Sequence, residues 1–235
     1  MKILAVDTAT KSCSVAIVDG EVVVAELTTI NDETHSKHLL EMVHTVTQMS
    51  GLSLSDLSGF AVTIGPGSFT GLRIGISSIK GFAVAFDKPV VGISSLEALA
   101  RQTVPSSYLV VPCLDARKGE IYFAHYRFGH GLLSQEKDEV VLPPDQVIKD
   151  IVEPCIFVGS GAQVYQDLIR QELGPNAFFA PQNCHIIRAS TVAYLGMKRL
   201  ENDDFDDINA LVPHYIRKSD AELNLARRKK AGRKP

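Results

Sequence analysis

Apolar residues in the first thirty positions fall into three short runs, each ending at a turn signal. Ile3 to Thr8 is the first, Ser12 to Val18 the second and Glu21 to Thr28 the third. Asp19-Gly20 separates the last two. An Asp-Gly pair between such runs marks a hairpin, because both residues tolerate positive φ. In the second run Cys13, Val15 and Ile17 alternate with Ser14, Ala16 and Val18. Ala16 and Val18 are apolar as well, so the pattern predicts a sheet covered on both faces.

The period then lengthens. Leu39, Leu40, Val43, Val46 and Met49 recur at helical spacing, which predicts a helix over 36–50 with Gly51 as its C-cap. A strand at Phe60–Ile64 runs into Gly65-Pro66-Gly67-Ser68, and a second helix follows to about Phe86, stopped by Lys88-Pro89. A strand at 90–93 and a helix at 96–102 come next. Three antiparallel strands, then helix, strand, helix and strand, is the order of a ribonuclease-H-like unit.

Pro105-Ser106-Ser107 marks a boundary. Beyond it the pattern predicts strands at 108–114 and 120–128, joined by Asp115-Ala116-Arg117-Lys118-Gly119. A charged segment with no assigned structure follows, then a helix after Pro143-Pro144. A strand at Cys155–Val158 ends in Gly159-Ser160-Gly161, and helices are expected over 163–172 and 189–200. The chain therefore divides into a lobe of residues 1–105, a smaller lobe of 106–216 and a tail of 217–235. The tail lacks apolar periodicity and is expected to be disordered.

The helix after the glycine turn carries two stripes. Leu72, Ile76, Ile79, Ala83 and Phe86 make an apolar one, and Gly71, Gly75, Ser78 and Phe82 make one that is small at three positions. A mid-helix glycine costs up to ~1 kcal/mol against alanine, so Gly71, Gly75 and Gly81 require a compensating close contact. That contact is either internal packing or the helix of another chain, and the two stripes favour the second.

Composition changes this picture little. The chain has 235 residues, 45% of them apolar and 22% charged, as in an ordinary globular protein. No apolar run approaches the ~20 residues of a membrane span, and Asp7 comes too early for a signal peptide, so a cytoplasmic protein without membrane contact is expected. The net charge of −3 conceals eight Lys/Arg against two Asp/Glu from Arg217 to Pro235, a local +6 that leaves −9 on the rest. Such a body is not a nucleic-acid-binding domain by charge, although its tail can touch RNA. Cys13, Cys113, Cys155 and Cys184 lie far apart with no Cys-x-x-Cys pair; three of them sit in apolar strand-like runs, where a reduced cysteine acts as a small buried hydrophobe, and a structural role is expected.

Candidate chemistry is sparse. The glycine turn lacks the Gly-Lys-Ser/Thr ending of a Walker loop and is not Gly-x-Gly-x-x-Gly. Asp7 and Asp115 each end an apolar run, where a carboxylate can either orient a metal-bound phosphate or cap a turn. With Thr8, Gly159 and Gly161 they form the low-ranked nucleotide-binding set. His35, His38 and His44 lack the spacing of a metal site and read as surface or partner-facing residues. No Gly-x-Ser-x-Gly elbow is present, and no catalytic or metal-binding residue is assigned.

Four blocks carry a family likeness: Ile3-Leu4-Ala5-Val6-Asp7-Thr8-Ala9-Thr10, the run Gly65 to Gly75, Leu114-Asp115-Ala116-Arg117-Lys118-Gly119-Glu120-Ile121-Tyr122, and Pro213-His214-Tyr215-Ile216-Arg217. Together they resemble the TsaB (YeaZ) family over nearly the whole chain. The resemblance implies an α/β ASKHA fold, two ribonuclease-H-like lobes as in actin, Hsp70 and sugar kinases. It also implies a role in making N6-threonylcarbamoyladenosine at tRNA position 37. The catalytic relative TsaD carries a His-x-x-x-His metal pair where this chain has Ser95 and Leu99. Neither is a good ligand for iron or zinc, which implies a non-catalytic scaffold.

The partners implied are a TsaD-like catalytic subunit, a TsaE-like ATPase, a second copy of the chain when alone, and tRNA either indirectly or through the basic tail. The implied partner surface is Leu39, Leu40 and Val43 on the first helix with Gly71, Leu72, Arg73, Gly75, Ser78 and Phe82 on the second. No cofactor is implied for the chain itself, with ATP or ADP expected at the complex interface. The rival expectation is a weak nucleotide-binding ASKHA ATPase or kinase.

Overall fold

The computed structural model describes residues 1–31 and 33–217. Strands β1 (Lys2–Asp7), β2 (Ser12–Asp19) and β3 (Val22–Ile30) form an antiparallel meander, with Gly20 at positive φ in the turn from β2 to β3. Helix α1 (Leu39–Ser50) follows a 3-10 turn at His35–Lys37, and left-handed Gly51 ends it by donating to the Gln48 carbonyl. Next come β4 (Gly59–Gly65), α2 (Phe69–Phe86), β5 (Val90–Ser94) and α3 (Ser95–Arg101). The sheet runs β3-β2-β1-β4-β5, with β4 parallel to β1 and β5 parallel to β4.

The second lobe repeats this arrangement. β6 (Leu109–Arg117), β7 (Glu120–Gly129) and β8 (Leu132–Leu142) form its meander. Then follow α4 (Pro144–Lys149), β9 (Cys155–Val158), α5 (Ser160–Val164), α6 (Gln166–Leu173) and β10 (Ala177–Phe179). The order β8-β7-β6-β9-β10 matches that of the first sheet strand for strand. Period-2 burial on β6 divides the cores: Leu109, Val111 and Cys113 face the second-lobe core, whereas Val110 and Leu114 join the first. Helix α3 packs against β6 and β7, so the two lobes share apolar contact.

Several expectations are corrected here. The charged segment after residue 128 is strand β8, and β10 is a strand that the pattern does not predict. The helix over 163–172 is two helices that meet at Tyr165. The smaller lobe does not extend to residue 216, because α7 (Ala189–Leu200) returns to the first sheet and packs on β1, β2 and β4. A Cβ on Gly196 of α7 would lie 2.7 Å from the Ala61 Cβ, whereas Gly75 of α2 faces Val62. Ala61 and Val62 point to opposite faces of β4, so α2 and α7 sandwich the sheet. Apart from Arg217, the tail expected to be disordered lies outside the described residues.

Candidate functional site

The glycine turn between β4 and α2 closes on the chain's own β1–β2 loop. Its Gly65–Pro66 peptide is cis, and Gly65 has φ 121°. The Ser68 N–H donates to the Ala9 carbonyl at 2.7 Å, and a Cβ on Gly67 would overlap that same oxygen. The Ser68 side chain caps α2 by accepting from the Gly71 N–H at 3.3 Å. His35, expected at the surface, is buried, and its Nε2 lies 2.8 Å from the Thr10 carbonyl. His38 is near Glu33, at 3.7 Å, and only His44 is exposed.

The same closure accounts for the small stripe. A Cβ on Gly71 would overlap the Thr8 carbonyl oxygen, and one on Gly75 would overlap the Thr8 hydroxyl. Leu39, Val43 and Leu72 are core residues. Of the nine residues expected at a partner surface, these five are therefore occupied inside the chain. Phe82 is half-buried, tilted against Phe60 with ring centroids 6.1 Å apart. Leu40, Arg73 and Ser78 remain accessible.

Those three line a shallow groove of about 530 Å³ between α1 and α2. Ser36, Leu39, Phe69, Thr70, Ile74 and Ser77 complete it, and of these only Leu39, at the base of the groove, belongs to the expected partner surface. Leu40 is 60% exposed at its edge, and farther along α2 Val84 is 71% exposed. Beside Val84, a Cβ on Gly81 would meet nothing within 4 Å among the described residues, so no contact there explains that glycine. α2 has the length and apolarity of a bilayer span, but its stripe of Leu72, Ile76 and Ile79 is buried in the core.

The nucleotide-binding set does not assemble into an open site. Asp7 is buried, and its Oδ1 accepts from the Thr63 hydroxyl at 2.7 Å and the Ala9 N–H at 3.1 Å. Its Oδ2 has no hydrogen-bond partner among the described residues, and burial pushes the carboxyl up to about 7. Thr8 is buried and donates to the Gly71 carbonyl. Asp115 is exposed and accepts from the Arg117 N–H at 2.9 Å, the turn-capping role. A Cβ on Gly159 would overlap the Cys113 carbonyl oxygen and one on Gly161 would press on the Cys113 backbone at 3.1 Å, so these glycines let the start of α5 approach β6. Ser95 and Leu99 are both fully buried, and no three His, Cys, Asp or Glu side chains gather among the described residues. Burial raises the thiols of Cys13 and Cys155 to about 12 and that of Cys113 further, which makes them inert.

Two meander-first lobes in face-sharing contact define an ASKHA-class protein. At 11% identity and a TM-score of 0.53, the activator of 2-hydroxyisocaproyl-CoA dehydratase from Clostridium difficile, solved with bound ADPNP, shares this fold over 88% of the chain and 99% of its own. A family model described as "TsaD: tRNA N6-adenosine threonylcarbamoyltransferase" matches residues 23–225. The chain is 33% identical to the tRNA threonylcarbamoyladenosine biosynthesis protein TsaB of Bacillus subtilis, over 94% of this chain and 96% of that one. YeaZ from Pseudomonas aeruginosa superposes with a TM-score of 0.75 at 26% identity, covering 91% and 99%. The chain belongs to the TsaB (YeaZ) family.

Proposed function

We propose that this chain is a non-catalytic subunit of tRNA threonylcarbamoyladenosine synthesis that docks a TsaD-like catalytic subunit on the α1–α2 groove. The observation that carries the reading is the groove itself: an open apolar floor with Leu40 and Arg73 at its rim, on the face of α2 turned away from the sheet. Unpaired Gly81 and exposed Val84 extend that surface towards the end of α2, where a second helix can approach closely. In the absence of that partner the same face pairs with a second copy of the chain. A TsaE-like ATPase and tRNA join the assembly in the cytoplasm, the tRNA indirectly or through the basic tail.

The chain needs no cofactor of its own in this reading, and ATP or ADP belongs at the complex interface. Burial of Asp7 and Thr8, and the packing of Gly159 and Gly161 on Cys113, support that assignment over an ATPase or kinase. The test is a titration of the TsaD-like subunit with Leu40→Glu and Ser77→Arg, two exposed positions whose substitution spares the core. Each is expected to weaken docking by at least about tenfold, or ~1.4 kcal/mol, with the thermal melt unchanged. Full complex formation by both variants sinks the reading.

A further inference from the structure

Residues 211–217 have no regular structure, yet they are tied to both lobes. Leu211 is buried, and its carbonyl accepts from Lys80 Nζ on α2 at 3.3 Å. The His214 N–H donates to the Ile64 carbonyl at 2.7 Å, at the end of β4. Its own carbonyl lies over Gly65, where a Cβ would come within 2.8 Å of it. The neighbouring side chains reach the second lobe. His214 Nδ1 is 3.5 Å from Glu139 Oε2 on β8, and the other Glu139 oxygen accepts from the Ser94 hydroxyl. Arg217 pairs with Glu120 at 3.0 Å and donates to the Ala116 carbonyl at 3.2 Å.

Between these anchors Tyr215 turns back to the groove. Its ring stacks on Phe69 with centroids 4.7 Å apart, and its hydroxyl accepts from Arg73 Nε at 2.9 Å. The Arg73 guanidinium carbon stands 3.9 Å from the Phe69 centroid on the same cluster. Phe69 and Arg73 both line the groove, so one wall of it rests on a residue more than a hundred positions away in sequence.

We propose that residues 211–217 are a strap that completes the α1–α2 docking face, and that it sets Arg73 there according to how the two lobes are held. An arginine free in solvent loses side-chain entropy when a partner captures it; one already stacked and hydrogen-bonded loses less, so the strap preorganises the face. The two ends of the strap differ in strength. The first-lobe end is held by backbone bonds, buried Leu211 and ring stacking. The second-lobe end is held by one part-exposed ion pair, Arg217–Glu120, with the Arg217 bond to Ala116 and the approach of His214 to Glu139 beside it, and a single pair of that kind contributes little and is released readily. A change in the setting of the lobes therefore reaches Tyr215, and through it Arg73. This proposal rests on the reading that the groove docks the TsaD-like subunit.

Two measurements separate the proposal from that reading. The first needs no partner: hydrogen exchange of the Arg73 Nε–H, followed by nitrogen-15 NMR of the full chain and assigned with Arg73→Lys. Tyr215→Phe is expected to speed exchange by about tenfold, and Arg217→Ala to speed it in the same direction although it touches neither Arg73 nor the groove. Unchanged exchange in Arg217→Ala overturns the coupling between lobes and groove. The second measurement is affinity for the TsaD-like subunit, which Tyr215→Ala is expected to weaken by about tenfold. If Tyr215→Ala binds like the unmodified chain while Leu40→Glu does not bind, the strap proposal falls and docking stands. If neither substitution matters, docking itself fails, and the exchange experiment still decides whether the strap holds Arg73.

Discussion

The Thr8 hydroxyl occupies the space that a side chain at Gly75 would need. It donates to the Gly71 carbonyl at 2.8 Å, one turn earlier on α2, and the Val62 Cγ2 lies 3.5 Å from where a Gly75 Cβ would be. The helix thus rides directly on the end of β1, and its two glycines permit that approach. What they lose in helix propensity, up to ~1 kcal/mol each, is offset by a buried hydrogen bond and close packing on the sheet. They belong to the fold, and only the outward side of the helix is free for a partner.

Gly75→Leu is accordingly expected to unfold the chain or drive it into aggregates, and Gly75→Ala to cost about 1–3 kcal/mol as an overpacked core position. Gly81→Ala goes the other way. Its Cβ meets open space at a φ that any residue adopts, so it gains up to ~1 kcal/mol of helix propensity. Urea denaturation of the three variants checks the order. A Gly75→Ala protein as stable as the unmodified chain overturns the packing account.

Where one residue type and one period decide the outcome, the sequence was readable. Gly51 as a left-handed cap, the run of β2, and the buried stripe of Leu72, Ile76 and Ile79 all lie where the pattern predicts them. Strand β8 is not legible because, among the described residues, it pairs only with β7 and buries no residue fully, so Ser134-Gln135-Glu136-Lys137 shows no apolar alternation. The candidate site divides in the same way. Leu40 and Arg73 fall on the accessible face, but helical period alone cannot say which of two stripes faces the sheet, and Thr8 settles that for Gly71 and Gly75. Tyr215 carries no legible role in the sequence, because a contact with Phe69 and Arg73 at such separation leaves no local signal.

Asp7 gives the stability a pH dependence of definite sign. Its carboxyl is raised from 3.8 to about 7, so between those values the folded chain binds a proton that the unfolded chain does not. Stability from this group is fully present below about pH 4 and is lost as pH rises through about 7. Asp7→Asn keeps an oxygen for Thr63 and Ala9 and removes the ionisation. It is expected to be the more stable protein at pH 8, by up to about 4 kcal/mol, and to match the unmodified chain at pH 4. Parallel urea curves at the two pH values check this. A constant difference between them overturns it.

Glu26 ties the returning helix to the first sheet. One of its carboxylate oxygens accepts from both the Ser190 N–H at 3.0 Å and the Ser190 hydroxyl at 2.9 Å, and the other accepts from Arg188. The side chain is thus the N-terminal cap of α7, supplied from β3. Glu26→Ala leaves those donors without their acceptor and is expected to cost about 1–3 kcal/mol, with Glu26→Gln costing less because an amide oxygen still accepts. Thermal melts of the two variants test the ranking, and equal melting temperatures would count against the cap.

A piece ending at residue 105 is expected not to fold, although it contains every strand of the first sheet. It lacks α7, whose Val192, Ala193, Met197 and Leu200 are buried and whose Gly196 lies against Ala61 and Val91. Burying three large apolar side chains is worth roughly 1.5–3 kcal/mol each, comparable with the whole 5–15 kcal/mol stability of a typical domain. Without them one face of β1, β4 and β5 is left in water. Residues 1–105 expressed alone should therefore show no cooperative melt by far-ultraviolet circular dichroism. Adding a peptide of residues 185–217 should restore one, because it returns α7 and the strap together. A sharp melting transition from the 1–105 piece by itself would show that the first lobe is complete without the returning helix.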